Sequence, residues 1–372
     1  MKNTFFNSFL VHDFSSKFDN TGLPNFYREA AILSQRKLKS KISTIEDISL
    51  NKYLKFILNI LKKFIKQEFL YSIINYKKFN SFIFLTSGGL ITIIFLRILG
   101  LNKKCFLILY DIPFIQYYDF KKRKFNLKFN KYFLKLKIFK YFLNFNINFV
   151  FLNYQQLRIF REIYSRDKNS DFSFTYGVDL NYYSKFIANN EREISISGFN
   201  LNNNYLLFVG SAYRNRNLLR KISLDTYFEK SKIKLVTSSF VPNKKNSFLS
   251  YANGIYNFYN LSSIDYLNLI LSSKLILISS ERSDTMAGLT SFLECYALGK
   301  KIFLTPTIYD QEYLNLMRSS RINIVEVSEI IEKLKLYFLK NHEISDDFQD
   351  INNILDVESC TNMLIRKLSK FH

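Results

Sequence analysis

A chain of 372 residues with 48% hydrophobic content is too long for one ordinary core and has enough apolar mass to fill two. Lys and Arg number 53 against 31 Asp and Glu, and the net charge of +22 favours an anionic partner: a nucleoside diphosphate, an anionic membrane or nucleic acid. Cys105, Cys295 and Cys360 are widely spaced and lie partly within apolar runs, which excludes a zinc site or a disulfide framework; they read as reduced core residues of a cytosolic protein.

Met1 to Leu10 has only Lys2 as a basic flank and no long apolar stretch behind it, unlike a signal peptide. Phe9 to Val11 predicts a strand, the loop His12 to Leu23 follows, and Pro24 stands at a favoured first helical position. Lys52 to Phe69 predicts an outer helix, with Leu54, Ile57, Leu58 and Leu61 on one face and Lys52, Lys55, Lys62 and Lys66 opposite. Phe79 to Leu96 is uncharged, and a membrane span is one reading of it. Asn80, Ser81, Thr86, Ser87, Gly88, Gly89 and Thr92 interrupt it, so the reading adopted is a buried strand Phe82 to Leu85, a glycine turn and a buried helix.

Phe106 to Tyr110 predicts a strand that Asp111-Ile112-Pro113 ends, with Asp111 either a turn former or a site carboxylate. No acidic residue occurs from Phe120 to Arg161. Lys124, Lys128, Lys131 and Lys135 recur at spacings that would line one helix face, with aromatic residues around the rest. Such a helix suits an anionic bilayer surface; the alternative is a solvated outer helix, and no nucleic-acid motif accompanies it. Ile147 to Leu152 and Phe172 to Tyr176 predict strands on either side of a helix from Gln155 to Tyr164.

Tyr205 to Val209 predicts a strand ended by Gly210, and the loop Ser211 to Asn217 carries Arg214 and Arg216. The planar fork of arginine suits phosphate oxygens, and two such cations would neutralise charge on a departing nucleoside diphosphate; a solvated basic loop is the alternative. Ile233 to Val236 and Ile255 to Tyr259 predict short strands, and Ser263 is placed to cap a helix from Ile264 to Leu271. Leu275 to Ile278 then predicts a buried strand, Leu289 opens a helix that Gly299 stops, and Ile302 to Leu304 predicts the next strand. In this βαβ unit the first turn of the helix favours an anion. Gly288 would let a ligand approach the backbone, Thr290 and Ser291 offer hydroxyls, and the Glu294 carboxylate is placed to accept from the two hydroxyls of a ribose. Ser291-x-x-Glu294 also fits a capping box, in which the glutamate only reaches back to the backbone. Ser328 to Leu339 and Val357 to Leu368 predict the last helices.

Four pieces, in order, carry a resemblance: Tyr176-Gly177-Val178-Asp179; Gly210 with Arg216-Asn217; Ser279-Ser280 with Ala287-Gly288, Thr290-Ser291 and Glu294; and Ala297-Leu298-Gly299-Lys300. Together they resemble retaining glycosyltransferases of the GT-B fold, group 1 or family 4 type, over roughly the last two hundred residues. The resemblance implies an α/β chain of two Rossmann-like doubly wound domains facing a cleft. Residues 1–185 would be the acceptor side, 200–350 the nucleotide-sugar side, and 351–372 a helix returning to the first domain. It implies transfer of a hexosyl group with retention, in polysaccharide, surface glycan or glycolipid synthesis, from a nucleotide sugar to a glycan or lipid-linked acceptor. Arg216, Arg214, Asp111 and His12 would be catalytic; Gly210, Ser211, Asn217, Gly288, Leu289, Thr290, Ser291 and Glu294 would bind the donor. No cofactor or metal is expected, since Asp-x-Asp is absent from the chain, and no nucleic-acid partner. The place expected is the cytoplasm, peripheral at the inner face of the membrane.

Two positions depart from the family pattern. Ser211 stands where an arginine often follows the glycine, and Met286 stands where many members carry a carboxylate toward the donor sugar. The alternative reading is therefore a non-catalytic GT-B scaffold that binds membrane or nucleic acid through its basic surface.

Overall fold

The computed structural model describes residues 8–11, 72–73, 77, 81–84, 88–109, 111–126, 131–143, 147–189, 195–196, 199–200, 204–210, 214–239, 248–317, 321–340 and 355–370. They fall into two units, one running to Tyr176 and taking in Cys360 onward, the other from Gly177 to Ser359.

In the first unit, β1 (Ser8–Val11), β2 (Ser81–Phe84), β3 (Lys104–Leu109), β6 (Ile147–Phe151) and β7 (Phe172–Ser173) lie side by side in that order, all parallel. Between β3 and β6 the chain makes a small antiparallel hairpin, β4 (Tyr118–Asp119) and β5 (Lys124–Phe125). The central strands are unbroken apolar runs because a parallel sheet is covered on both faces. Phe82, Phe84, Cys105, Leu107, Leu109, Ile147, Phe149 and Phe151 alternate onto one face. There they pack against Ile93 and Leu96 of the Gly88–Ile98 helix, Phe139 and Leu143 of the Lys131–Leu143 helix, and Leu157, Phe160 and Ile163 of the Tyr154–Tyr164 helix. Each crossover advances one strand in the same direction, so right-handed connections put all three helices on that one face.

The start of β6 is pinned by a buried ion pair. Arg166 Nε and Nη2 donate to the Asp171 carboxylate, which also accepts from the Phe149 amide at 2.8 Å, while Arg166 Nη2 reaches the Ile147 carbonyl at 2.8 Å.

Two expectations are corrected here. Lys124 lies in β5 and the helix begins only at Lys131, so the four-lysine face does not form; Lys128 lies outside the described residues. The strand expected from Phe172 to Tyr176 stops at Ser173. The strand-then-helix reading of the uncharged run at Phe79 to Leu96 is borne out by strand β2 and the Gly88–Ile98 helix, and no helix among the described residues is long and apolar enough to cross a membrane. The Pro24 helix, the His12 loop and the Lys52 to Phe69 helix lie outside the described residues.

In the second unit, a two-stranded hairpin, β8 (Ser195–Ile196) and β9 (Phe199–Asn200), precedes the main sheet. That sheet contains β10 (Tyr205–Val209), β11 (Lys234–Ser239), β12 (Phe248–Ala252), β13 (Ile255–Tyr259), β14 (Leu275–Ile278), β15 (Ile302–Leu304) and β16 (Ile322–Ile324). Their spatial order is β12-β13-β11-β10-β14-β15-β16, parallel except for the edge strand β12. From β10 the chain first moves toward β11 and β13, then returns across β10 to β14, β15 and β16. Right-handed crossovers in opposite directions place helices on opposite faces. Leu218, Leu219 and Ile222 of the Arg216–Ser223 helix and Ile330, Leu334 and Phe338 of the Ile330–Leu339 helix share one apolar cluster with Leu206, Phe208, Leu275 and Leu277. This is the doubly wound arrangement, with its topological switch point between β10 and β14.

The helix Ser263–Leu271 is capped by Ser262, whose Oγ accepts from the Asp265 amide at 3.1 Å, not by Ser263 as expected. At the end of the unit, Val178 N–H donates to Leu355 O at 2.9 Å, and the chain turns into the Val357–Ser369 helix. From Cys360 that helix belongs to the first unit, with Cys360, Leu364 and Leu368 buried and Lys367 Nζ donating to the Ser173 carbonyl.

Candidate functional site

In an open α/β sheet, the crevice outside the carboxyl ends of the strands at the switch point is where a ligand finds exposed loop backbone and helix N-termini together. In the second unit this point lies beyond Val209 and Ile278. Gly210 ends β10 at φ 89°, in the left-handed region open to glycine, and no described atom comes within 4 Å of where its Cβ would be. The backbone there is open to close approach.

The loop that follows closes back on both neighbouring strands. Arg214 Nε donates to the Gly210 carbonyl, Nη2 to the Ser238 carbonyl and Nη1 to Ser239 Oγ at 3.1 Å. Asn215 N–H donates to the Ser279 carbonyl at 3.0 Å, and its side chain caps the Arg216–Ser223 helix by accepting from the Leu218 amide at 2.9 Å. Arg214 thus clasps the ends of β10 and β11. Burial pushes its guanidinium down to about 10, with the neighbouring Arg216 charge in the same direction and Tyr266 and Tyr259 opposing, so it remains a cation at neutral pH. Arg216 and Asn217 are exposed on the first turn of the helix.

Across β14, the helix Leu289–Ala297 begins at Gly288, again at φ 89°, with no side chain capping it. The helices starting after Asn153, Asn215, Asp225 and Ser262 each carry a side-chain cap. Leu289 N–H is taken by the Met286 carbonyl at 3.1 Å and Phe292 N–H by Gly288 O at 2.8 Å. The amides of Thr290 and Ser291 lie between them in this uncapped turn, at the positive end of the helix dipole. The capping-box reading does not hold: Gly288 is the cap position, so Ser291 and Glu294 lie inside the helix. The reason for glycine at 288 also differs from expectation. A Cβ there would meet Ile278 Cγ2 at 3.0 Å and Tyr309 Oη at 3.2 Å, so protein, not an approaching ligand, fills that side.

Glu294 is 6% exposed, an unusual state for a carboxylate. Tyr266 joins the two halves of the site. Its hydroxyl lies 3.4 Å from Ser291 Oγ. Burial, and then the negative charge of Glu294, push the phenol well above its ordinary range, while Arg214 works the other way. Tyr266 therefore contacts Ser291 and feels the charges of Glu294 and of Arg214, the residue that holds the Gly210 carbonyl. Nothing in the sequence marks this residue out among 25 tyrosines. Met286, at the position of the missing carboxylate, is buried, and the nearby Asp284 is held by Arg282 in a two-pronged pair at 2.9 and 2.7 Å. Asp111 is exposed just past β3, in the first unit. His12 and Ser211 lie outside the described residues.

The sequence matches no protein-family model and no curated protein. Solved structures do match in three dimensions. A UDP-forming α,α-trehalose-phosphate synthase from Burkholderia xenovorans superposes with a TM-score of 0.56 at 10% identity, over 94% of this chain and 86% of its own. A trehalose-6-phosphate protein from E. coli, bound with UDP-2-fluoro glucose, gives 0.52 at 10% identity over 93% and 82%. A protein provisionally named a UDP-N-acetylglucosamine 2-epimerase from Listeria monocytogenes gives 0.51 at 12% identity over 98% and 96%. The fold is GT-B. Within that GT-B fold, the second Rossmann-like unit carries the converged cluster, and the switch point found from strand order alone is where its loops meet.

Proposed function

We propose that the chain is a retaining glycosyltransferase of the hexosyl-transferring kind. It moves a sugar from a nucleoside-diphosphate donor to an acceptor hydroxyl on a glycan or a lipid-linked sugar, in making a surface glycan or glycolipid, as a peripheral protein on the cytoplasmic side of a membrane. The observation that carries this reading is the uncapped Gly288 turn at the same switch point as Gly210, with the buried carboxylate of Glu294 in the same helix. A diphosphate fits the Thr290 and Ser291 amides and hydroxyls. The ribose hydroxyls donate to Glu294, whose charge strengthens both bonds. As the donor bond breaks, negative charge builds on the diphosphate. Arg216 and the helix dipole stabilise it without a metal ion, and Arg214 adds charge while holding the Gly210 loop in shape. Asp111 and His12 are the candidates on the acceptor side. The trehalose-phosphate synthases, which are UDP-forming, support a nucleotide-sugar donor.

Isothermal titration with UDP, GDP and ADP tests the site. One of the three binds, and Glu294→Ala weakens it by about tenfold or more, the loss of charge-assisted hydrogen bonds. If none binds, or if the substitution leaves affinity unchanged, the assignment is wrong. Met286 in place of a carboxylate favours a second reading, a scaffold that binds without transferring. Nucleotide release from a panel of nucleotide sugars separates the two, since the scaffold releases none.

A further inference from the structure

The outer surface of the helix layer in the first unit has no part in the donor site. On the Lys131–Leu143 helix, Leu136, Phe139 and Leu143 are buried. Leu134, Ile138 and Tyr141, one turn apart along the opposite side, are 61%, 45% and 65% exposed. The Gly88–Ile98 helix in the same layer adds Phe95 and Ile98, with Leu99 just beyond its end, all exposed. Large apolar side chains grouped on one face differ from the scattered apolar surface of an ordinary soluble protein.

The charges on these two helices are of one sign. Neither helix contains a carboxylate. Lys135, Lys137 and Lys140 are exposed beside the stripe, and Lys137 and Lys140 hold their ammonium groups 4.7 and 4.8 Å over the rings of Phe133 and Phe125. A second copy of the chain would bring lysines against lysines. A nucleic acid would engage the lysines and leave Leu134 and Ile138 without a partner. An anionic bilayer uses both sets, since apolar side chains enter the acyl boundary while lysines meet the headgroups.

We propose that this face docks on an anionic lipid bilayer, with the Lys131–Leu143 helix lying in the interfacial plane. The inference rests on the peripheral placement proposed above and not on the transfer chemistry, so nucleotide titration and vesicle binding fail independently. Flotation of the full chain with phosphatidylcholine vesicles, with and without phosphatidylglycerol, is the test. The protein floats with the anionic vesicles and stays behind with the neutral ones. Leu134→Ser with Ile138→Ser reduces partitioning by about tenfold or more. Lys135→Gln, Lys137→Gln and Lys140→Gln each reduce it by roughly fivefold, and added salt acts in the same direction. Because Leu134, Ile138 and Lys135 are exposed, their variants keep a melting temperature close to the wild-type value, and salt titration of the wild type is a readout that needs no variant. The proposal is overturned if the wild type does not float with anionic vesicles, or if the double variant floats as well as wild type. It is equally overturned if the double variant converts a dimer to a monomer, or if the lysine variants lose RNA binding while vesicle binding persists.

Discussion

Two glycines share one backbone angle and differ in what surrounds them. At Gly210 an alanine meets the strain of φ 89°, roughly 1–2 kcal/mol, with no described atom within 4 Å of its Cβ. At Gly288 the same strain applies, and the new methyl also presses on Ile278 and Tyr309, adding about 1–3 kcal/mol of overpacking. Urea midpoints should therefore place Gly288→Ala below Gly210→Ala, whereas nucleotide titration should show Gly210→Ala losing affinity out of proportion to its stability. Equal midpoints would mean the Gly288 turn relaxes freely. Both glycines were legible as special from the sequence, because each stands between an apolar run and a helical pattern. The reason for Gly288 was not legible, since it depends on Tyr309, a partner 21 positions away that folding alone brings near. Tyr266 was invisible for the same reason: its role comes from the two loops it joins.

At the level of elements, the apolar runs Leu275 to Ile278 and Tyr205 to Val209 were readable because buried parallel strands have no polar face to confuse the pattern. Edge strand β12 was missed, although its signal was present: Asn253-Gly254, at φ 52° and 76°, is the two-residue turn that pairs it with β13. Helix Lys131–Leu143 was placed too early because periodic lysines continue through the β5 hairpin, and spacing alone does not see a hairpin. The Arg166–Asp171 pair carries an element-level prediction. Asp171→Ala leaves a buried guanidinium without its carboxylate and should cost about 3–5 kcal/mol in chemical denaturation, while the reciprocal packing of the second unit is untouched.

A milder case joins the cap of the Thr226–Lys230 helix to the Ile330–Leu339 helix. Partial burial opposes ionisation of Asp225. Hydrogen bonds from Lys335 Nζ and the Tyr227 amide outweigh it and hold the carboxyl below its ordinary 3.8. The folded value is lower than the unfolded one, so the stabilisation is in place above pH 3.8 and is lost as pH falls through the lowered value. Lys335→Met should flatten the acid limb of the melting-temperature profile below that pH; an unchanged limb would assign the shift to the amide alone.

At the scale of the whole molecule, the described residues of the first unit come from two stretches of chain separated by all those of the second. Leu368, fully buried, belongs to the returning stretch. Leu368→Ala should cost about 2–5 kcal/mol. Hydrogen exchange should register that loss as faster exchange in β6 and β7, far away in sequence, with β10 and β14 unchanged; uniform acceleration would show one cooperative body instead. Length points to two domains, with the boundary expected between 185 and 200, whereas the units divide between Tyr176 and Gly177; a C-terminal helix was readable from its own periodicity. The point at which that helix changes allegiance, between Ser359 and Cys360, was not, because both sides of it share one amphipathic pattern.

That division has a consequence for synthesis. During translation the second unit has all its strands in hand while the first still waits for Cys360, Leu364 and Leu368 to leave the ribosome. Of the two units, the one whose strands are made first is thus the last to be completed, and a nascent chain released before Cys360 keeps a gap in it.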